Sequence, residues 1–293
     1  MKYRIAHTTR YSYDGAVPIG YNRVYLTPRD TARQQCLRSH LEIEPVPAVF
    51  GHRGKDYYGN EIVSFTVQEQ HRVLEVTARS EVALTPHSAP DAHTTASWES
   101  VATSLLRPTN PSQRAARRFR YPTESIALSR ALRTYALPSF PSGRPVLTGA
   151  RDLMERIYTE FTYDPEATTV STPVEVTLEK RRGVCQDFAH FQIGCLRALG
   201  LSARYVSGYV APKHADTGAT FVGAQASHAW LSLFVPELGW VDLDPTNNVL
   251  PGIEHITLAW GRNYEEVSPM RGVILGGGGQ RLEVAVDVSP VTG

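Results

Sequence analysis

The sequence predicts an α+β fold in two parts: a β-rich first third, and a second half in which one helix packs on an antiparallel sheet. Three observations carry this. Short runs of alternating apolar and polar residues recur before residue 85, prolines break the stretch from Ala89 to about Pro145, and beyond it helical and strand periodicities take turns. The expected divisions are 1–105 for a sandwich-like β domain, 106–145 for a connecting helical and proline-rich region, and 146–293 for a core with C-terminal strands.

The β reading rests on alternation at Lys2–His7, Cys36–Ile43, Ile62–Glu69 and Val73–Leu84. Asp14-Gly15, Pro28-Arg29-Asp30, Gly51–Gly54 and Tyr58-Gly59-Asn60 supply turn signals between these runs. In the middle region Pro108, Pro111, Pro122, Pro138, Pro141 and Pro145 leave room for short helices, the better one near Ser125–Leu137. Over Val146–Phe161 the spacing of Leu147, Leu153, Met154, Ile157 and Tyr158 predicts an amphipathic helix, with Thr148 as a cap. A helix is expected over Gly183–Leu199, stopped by Gly200, then a strand at Ser202–Ala211 and a loop over 213–226. Strands His228–Phe234 and Trp240–Asp244 flank the Pro236–Gly239 turn, and Arg281–Val288 is a last strand. Gly276–Gly279 lacks the following helix of a phosphate loop and is read as a flexible hairpin tip.

Composition excludes several classes. Lysine plus arginine number 30 against 29 aspartate plus glutamate, so neither nucleic acid nor an anionic membrane is expected as a partner. No run approaches the roughly 18 apolar residues of a membrane span. Met1–His7 lacks the apolar stretch of a secretory signal. Three cysteines make a poor disulfide framework, so free thiols in a reducing cytoplasm are expected.

The chemistry centres on Arg181-Arg182-Gly183-Val184-Cys185-Gln186-Asp187. A cysteine in the first turn of a helix sits among unpaired N–H groups at the positive end of the dipole, which stabilises negative charge on sulfur. The amide of Cys185 itself supplies half an oxyanion hole. Cys195, mid-helix beside Leu196 and Leu199, reads as core. If Phe234 pairs with Trp240, residue 230 faces residue 244, and His228 and Asp244 share one face of the pair. A carboxylate held against an imidazole fixes its tautomer, the orienting half of a catalytic triad. A metal site from Cys185, His190 and Cys195 fails on geometry: ten helical residues advance about 15 Å. No metal or cofactor is expected.

The motifs Gly183–Ala189, Arg204–Tyr209, Ser227–Trp230, Gly239-Trp240 and Asp244-Pro245-Thr246 resemble those of the bacterial transglutaminase-like proteins. The resemblance spans about Val146–Leu250 and reaches more weakly into Tyr3–Arg29 and Asp56–Val82, similar to the β domain that often precedes this core. It implies a papain-like core with Cys185, His228 and Asp244 as the catalytic set, and Tyr163 as a second oxyanion donor. Such proteins include cross-linking transglutaminases, proteases and other amide hydrolases, and forms that have lost catalysis. No calcium loop of the D-x-[DN]-x-[DN]-G type is present. The expected activity is therefore acyl transfer on a peptide or protein substrate through a thioester, with hydrolysis favoured. Protein-glutamine amine transfer is the alternative, and a non-catalytic binding protein is the reading from another class.

Overall fold

Period-two alternation in the first third becomes six strands: β1 (Lys2–Val17), β2 (Ile19–Val24), β3 (Gln34–Glu44), β4 (Val49–Lys55), β5 (Glu61–Val67) and β6 (His71–Leu84). A computed structural model describes residues 1–214, 217–224 and 226–291 of the chain; of the loop expected over 213–226, residues 215, 216 and 225 lie outside the described residues. Tyr3, Ile5, His7 and Thr9 of β1 face inward in turn, as the pleat requires. Pro18 has no N–H to continue the β1 ladder, and the chain steps there from one sheet to the other. Gly51 and Gly54, expected in a turn, lie instead inside β4, an edge strand whose exposure hides any alternation.

Among the described residues seven α-helices follow into the second half: α1 (Trp98–Leu106), α2 (Pro111–Arg117), α3 (Arg130–Ala136), α4 (Val146–Glu160), α5 (Val174–Lys180), α6 (Cys185–Ala198) and α7 (Tyr264–Val267). Among them run the short β7 (Thr162–Tyr163) and β8 (Arg182–Gly183), then β9 (Ala203–Val210), β10 (His228–Val235), β11 (Gly239–Leu243), β12 (His255–Gly261), β13 (Met270–Leu275) and β14 (Gln280–Pro290). Helix α4 buries Leu147, Leu153, Met154 and Ile157, whereas Tyr158 stands half exposed at the rim of that stripe. Thr148 does not cap it: Pro145 holds the cap position, and the Thr148 hydroxyl donates to the Ala92 carbonyl at 3.0 Å.

Among the described residues three four-stranded sheets result, in the orders β14-β1-β6-β3, β13-β2-β5-β4 and β11-β10-β9-β12. The C-terminal strands thus join the sheets of the first third, not the sheet of the 146–293 segment in which the sequence reading placed them. Each covers an otherwise open edge, β14 along β1 and β13 along β2. Gly276–Gly279 is accordingly no hairpin tip but the crossing between two sheets, packed on the β1 turn through Gly15 N–H to Gly277 O at 2.8 Å.

Every residue of α6 from Cys185 to Arg197 is buried, so the polar ones need partners. Gln192 donates to the Ala150 carbonyl at 2.9 Å, and Arg197 to the carbonyls of Phe119, Ala203 and Arg262 at 2.8, 2.9 and 2.6 Å. His190 Nε2 accepts the Tyr264 N–H at 3.0 Å, which accounts for a buried imidazole held down to about 3 by its burial and by Arg197. These bonds fix the helix lengthwise. Tyr205 turns one face of the third sheet to α6, its ring 5.0 Å from His190. On the opposite face Arg204 lies between Trp240 and Trp260, at 4.4 and 3.7 Å, and Arg29 closes on Trp260 at 3.3 Å.

The first third meets this sheet along β12. Gln34 donates to the Thr257 carbonyl and accepts the Thr257 N–H, both at 2.8 Å. Asn60 treats Trp260 the same way, at 2.8 and 2.9 Å. Two buried side-chain amides thereby satisfy the outer backbone of an edge strand. No helix among the described residues is long and apolar enough to cross a membrane.

Candidate active site

Cys185 is presented by a turn built for it. The chain leaves α5 through Arg181 in a left-handed conformation (φ 51°), and Gly183 pairs with Tyr163 across the short parallel ladder. Val184, at the helix cap, has no polar side chain to close the first turn. Asp187 closes it from within, its Oδ2 accepting the Val184 N–H at 2.8 Å and the Thr168 hydroxyl at 2.6 Å. Burial raises the Asp187 carboxyl above its ordinary range while those two bonds pull it back. A β-carbon at position 183 would lie 2.6 Å from that same Oδ2, so the turn requires glycine. Cys185, so placed, is 9% exposed as a residue. The amides of Cys185 and Gln186 precede the first intrahelical bond, Phe188 N–H to Val184 O, and open towards the helix mouth.

His228 opens β10 opposite Gly208 of β9. A side chain at 208 would collide with the Trp230 ring and the Ile256 carbonyl, so glycine lets the sheet close there. Across the other edge Phe234 pairs with Trp240 and Leu231 with Leu243, the register the sequence predicts. Asp244 follows directly and is fully buried in a turn in which its N–H donates to Val249 O at 2.9 Å. His228 Nε2 lies 2.8 Å from Asp244 Oδ2. A carboxylate only accepts, so that nitrogen carries the proton and Nδ1 is the ring atom left for chemistry. Nδ1 is outside hydrogen-bond geometry with any described neighbour, yet the Cys185 sulfur is near enough to raise the ring's basicity. Burial opposes a charge on His228, but the adjacent carboxylate, its hydrogen bond and the sulfur outweigh it and push the imidazole up to about 10. Asp244 moves the other way. Burial penalises its charge, and the two imidazoles it binds more than compensate, holding the carboxyl well below the usual range.

Tyr163 sits at the border of this group, edge-on to Phe188 at 6.5 Å. Its phenol is pushed up to about 12 by burial first, then by proximity to Cys185 and Asp187. Three residues that the sequence reading missed complete the surroundings. Tyr205, fully buried, is raised by burial and then by Cys185. Asn247 donates to Asp244 Oδ2 at 2.8 Å and accepts the Val222 N–H at 2.8 Å, tying the segment above the site to the carboxylate. His255 donates from Nε2 to the same Oδ2 at 3.0 Å. Asp-Pro-Thr-Asn was a signal for Asn247, since a side chain three residues after a turn aspartate folds back on it. No local spacing announced His255, which arrives on a separate strand.

His228, Asp244 and His255 offer three ligand atoms within 4.8 Å of one another. Both imidazoles approach one oxygen at hydrogen-bond length, 2.8 and 3.0 Å, and this accounts for the cluster without an ion. Cys195 lies fully buried deeper in α6, its thiol pushed far up by burial.

A central helix with a cysteine at its mouth, beside an antiparallel sheet carrying a histidine–aspartate pair, defines the papain-like class of fold. The comparisons with known proteins agree. Residues 3–83 match the bacterial transglutaminase-like N-terminal region, and residues 139–245 match the transglutaminase-like superfamily. An uncharacterised protein of Mycobacterium tuberculosis is 40% identical over 301 residues, covering 100% of this chain and 94% of that protein. One from Mycobacterium leprae is 31% identical over 295 residues, covering 98% of each. A protein-glutamine gamma-glutamyltransferase of Pseudomonas aeruginosa is 31% identical over 107 residues, covering 34% of this chain and 16% of that protein. The crystal structure of a candidate cysteine protease from Cytophaga hutchinsonii superposes with a TM-score of 0.75 at 19% identity, covering 100% of this chain and 92% of that one. The chain belongs to the transglutaminase-like superfamily and carries its bacterial N-terminal region. That membership supports a cysteine-dependent enzyme in broad terms.

Proposed function

We propose that this protein is a cysteine-dependent acyl-transfer enzyme that hydrolyses a peptide or amide bond through a thioester. The observation that carries the proposal is the buried His228–Asp244 hydrogen bond at 2.8 Å, with the imidazole beside a sulfur at a helix mouth. Cys185 is the nucleophile, His228 its base and later the acid, and Asp244 the group that orients the imidazole. With its proton on His228 Nδ1, the sulfur bonds to the carbonyl carbon, and the carbonyl π pair moves onto oxygen beside the Cys185 amide. Deleting one such oxyanion donor costs roughly a hundred- to thousand-fold in other enzymes. We assign Tyr163 as the second donor. Collapse of the tetrahedral adduct breaks the C–N bond, and the departing nitrogen takes the Nδ1 proton. Water then gives a proton to His228 and its hydroxyl to the acyl carbon; the C–S bond breaks and the acid leaves.

A second reading differs only in what resolves the thioester. A primary amine in place of water makes the reaction a protein-glutamine amine transfer, and the similarity to the Pseudomonas aeruginosa enzyme favours keeping it. Incubation with a glutaminyl peptide and a labelled primary amine separates the two. New peptide termini that vanish in Cys185→Ala support hydrolysis. Label incorporated with release of ammonia and without new termini supports transfer. A Cys185 that forms no trappable thioester with any acyl donor sinks both, and leaves a non-catalytic binding protein.

A further inference from the structure

Asp244 is not a simple partner of His228. Its Oδ2 receives three donors: His228 Nε2 at 2.8 Å, Asn247 Nδ2 at 2.8 Å and His255 Nε2 at 3.0 Å. Its Oδ1 takes the backbone N–H groups of Thr246 at 3.0 Å and Asn247 at 3.4 Å. A carboxylate oxygen offers about two lone-pair directions, so the three donors on Oδ2 divide the same charge.

The second imidazole is held as firmly as the first. His255 is 4% exposed at the start of β12, and Phe221 and Trp230 stand edge-on to its ring at 5.5 and 5.2 Å. Its strand is the one whose outer backbone Gln34 and Asn60 satisfy. The His228 and His255 rings lie 6.0 Å apart, both turned to one oxygen. Nδ1 of His255 has no hydrogen-bond partner among the described residues, so Asp244 is the one polar contact its ring makes there. The other ionisable groups near it are His214, which reaches it through Phe221, with Glu254 beside His214, and Arg33, His87, Arg204 and Asp242 around the cavity that His255 also lines.

Two effects follow from such sharing. Every donor limits the swing of the carboxylate about its last torsion, and with His255 in place it cannot turn without breaking one more buried bond. An oxygen that already serves a second donor also attracts the first donor's proton less. Resting on the proposed function, we propose that His255 is a positioning residue of the Cys185–His228–Asp244 group, a second donor that locks the Asp244 carboxylate and moderates its hold on His228. It touches neither sulfur nor substrate. Its action passes through Asp244.

Two variants and one wild-type measurement test this. His255→Phe keeps the ring and loses the donor, and His255→Gln keeps an N–H. The rate of Cys185 alkylation by iodoacetamide is followed against pH in variants whose circular dichroism matches the wild type. With the donor gone Asp244 draws harder on His228, so the alkaline inflection of the Phe variant moves up by roughly half a pH unit or more, while Gln stays close to wild type. An inflection unmoved in Phe, with alkylation within about twofold of wild type, overturns the inference, since a merely structural role would leave it there. Should the Phe variant not fold, proton NMR of the intact wild type decides. Two low-field imidazole N–H resonances, one each from His228 and His255, are expected; one alone overturns the sharing. A wild-type Cys185 that alkylates no faster than Cys36 overturns the proposed function and this inference together, whereas fast alkylation indifferent to His255 removes the inference alone.

Discussion

Gln34 meets Thr257 as one strand meets another, its side-chain amide donating to the carbonyl and accepting the N–H, both at 2.8 Å. The contact joins residues 223 apart in the chain and is part-buried, with Gln34 itself buried. Gln34→Ala strands the Thr257 N–H, and Asn60→Ala does the same to Trp260. Each is expected to cost about 1–3 kcal/mol of unfolding free energy in urea titrations. Values within about 0.5 kcal/mol of wild type would mean that the clamp is not a stabilising element.

Gly183 and Asp187 give a second test. A methyl group at 183 cannot coexist with the Asp187 carboxylate in its present place, so Gly183→Ala is expected to displace the first turn of α6. Alkylation of Cys185 then slows at least tenfold, because a misplacement of about 1 Å near a reacting centre costs on the order of a hundredfold. Asp187→Ala removes the cap but keeps the β-carbon, which would still lie 2.8 Å from one at 183, and it is expected to cost about 1 kcal/mol of stability. Peptide mapping after timed labelling reads the first effect, with Cys36 as the internal reference.

The paired imidazole and carboxylate make stability depend on pH in opposite directions. His228 is raised from its ordinary 6.5 to about 10, so its contribution is whole below 6.5 and is lost as pH climbs through about 10. Asp244 is depressed from 3.8, so its contribution is present above that value and is lost as pH falls through its lower folded value. The stability gap between wild type and His228→Gln is therefore expected to narrow steadily from pH 6.5 to 10. A gap that stays constant across that window would show that the imidazole carries no extra proton in the fold.

Asp244→Asn tests the orienting role more sharply than truncation does. The amide still accepts through its oxygen, but it also presents an N–H where Oδ2 now receives three donors. His228 is then free to take the wrong tautomer, and a loss of about ten-thousandfold in turnover is expected with the fold retained. Steady-state rates on whichever acyl donor forms a thioester check this. A loss below tenfold would contradict the assignment.

The sheet carrying His228 was legible because its signals are local. A tight turn at Pro236–Gly239 fixes the register, and the register alone brings residue 228 near residue 244. Helix α6 was legible from Gly183 and Gly200 as its punctuation. His255 was not. Its strand bears a bulge between Thr257 and Ala259, which breaks the alternation, and its partner strand ends 45 residues earlier at Val210. Of the C-terminal strands only Arg281–Val288 was read as one, within the 146–293 segment, and its pairing with β1 was not legible because an exposed edge carries no sequence mark of the neighbour it will choose. In each case what escaped the sequence was set by contacts between distant segments, and what it announced was set by turns and caps.

The pairing of β14 with β1, from Tyr3 opposite Pro290 to Tyr13 opposite Gln280, bears on how the molecule is born. A ribosome delivers β1 long before β14, so the nascent sandwich must wait with one flank bare while the helical portion between them emerges and collapses. Assembly in the cell is then not vectorial, and it leaves an interval in which the unfinished flank needs protection from aggregation.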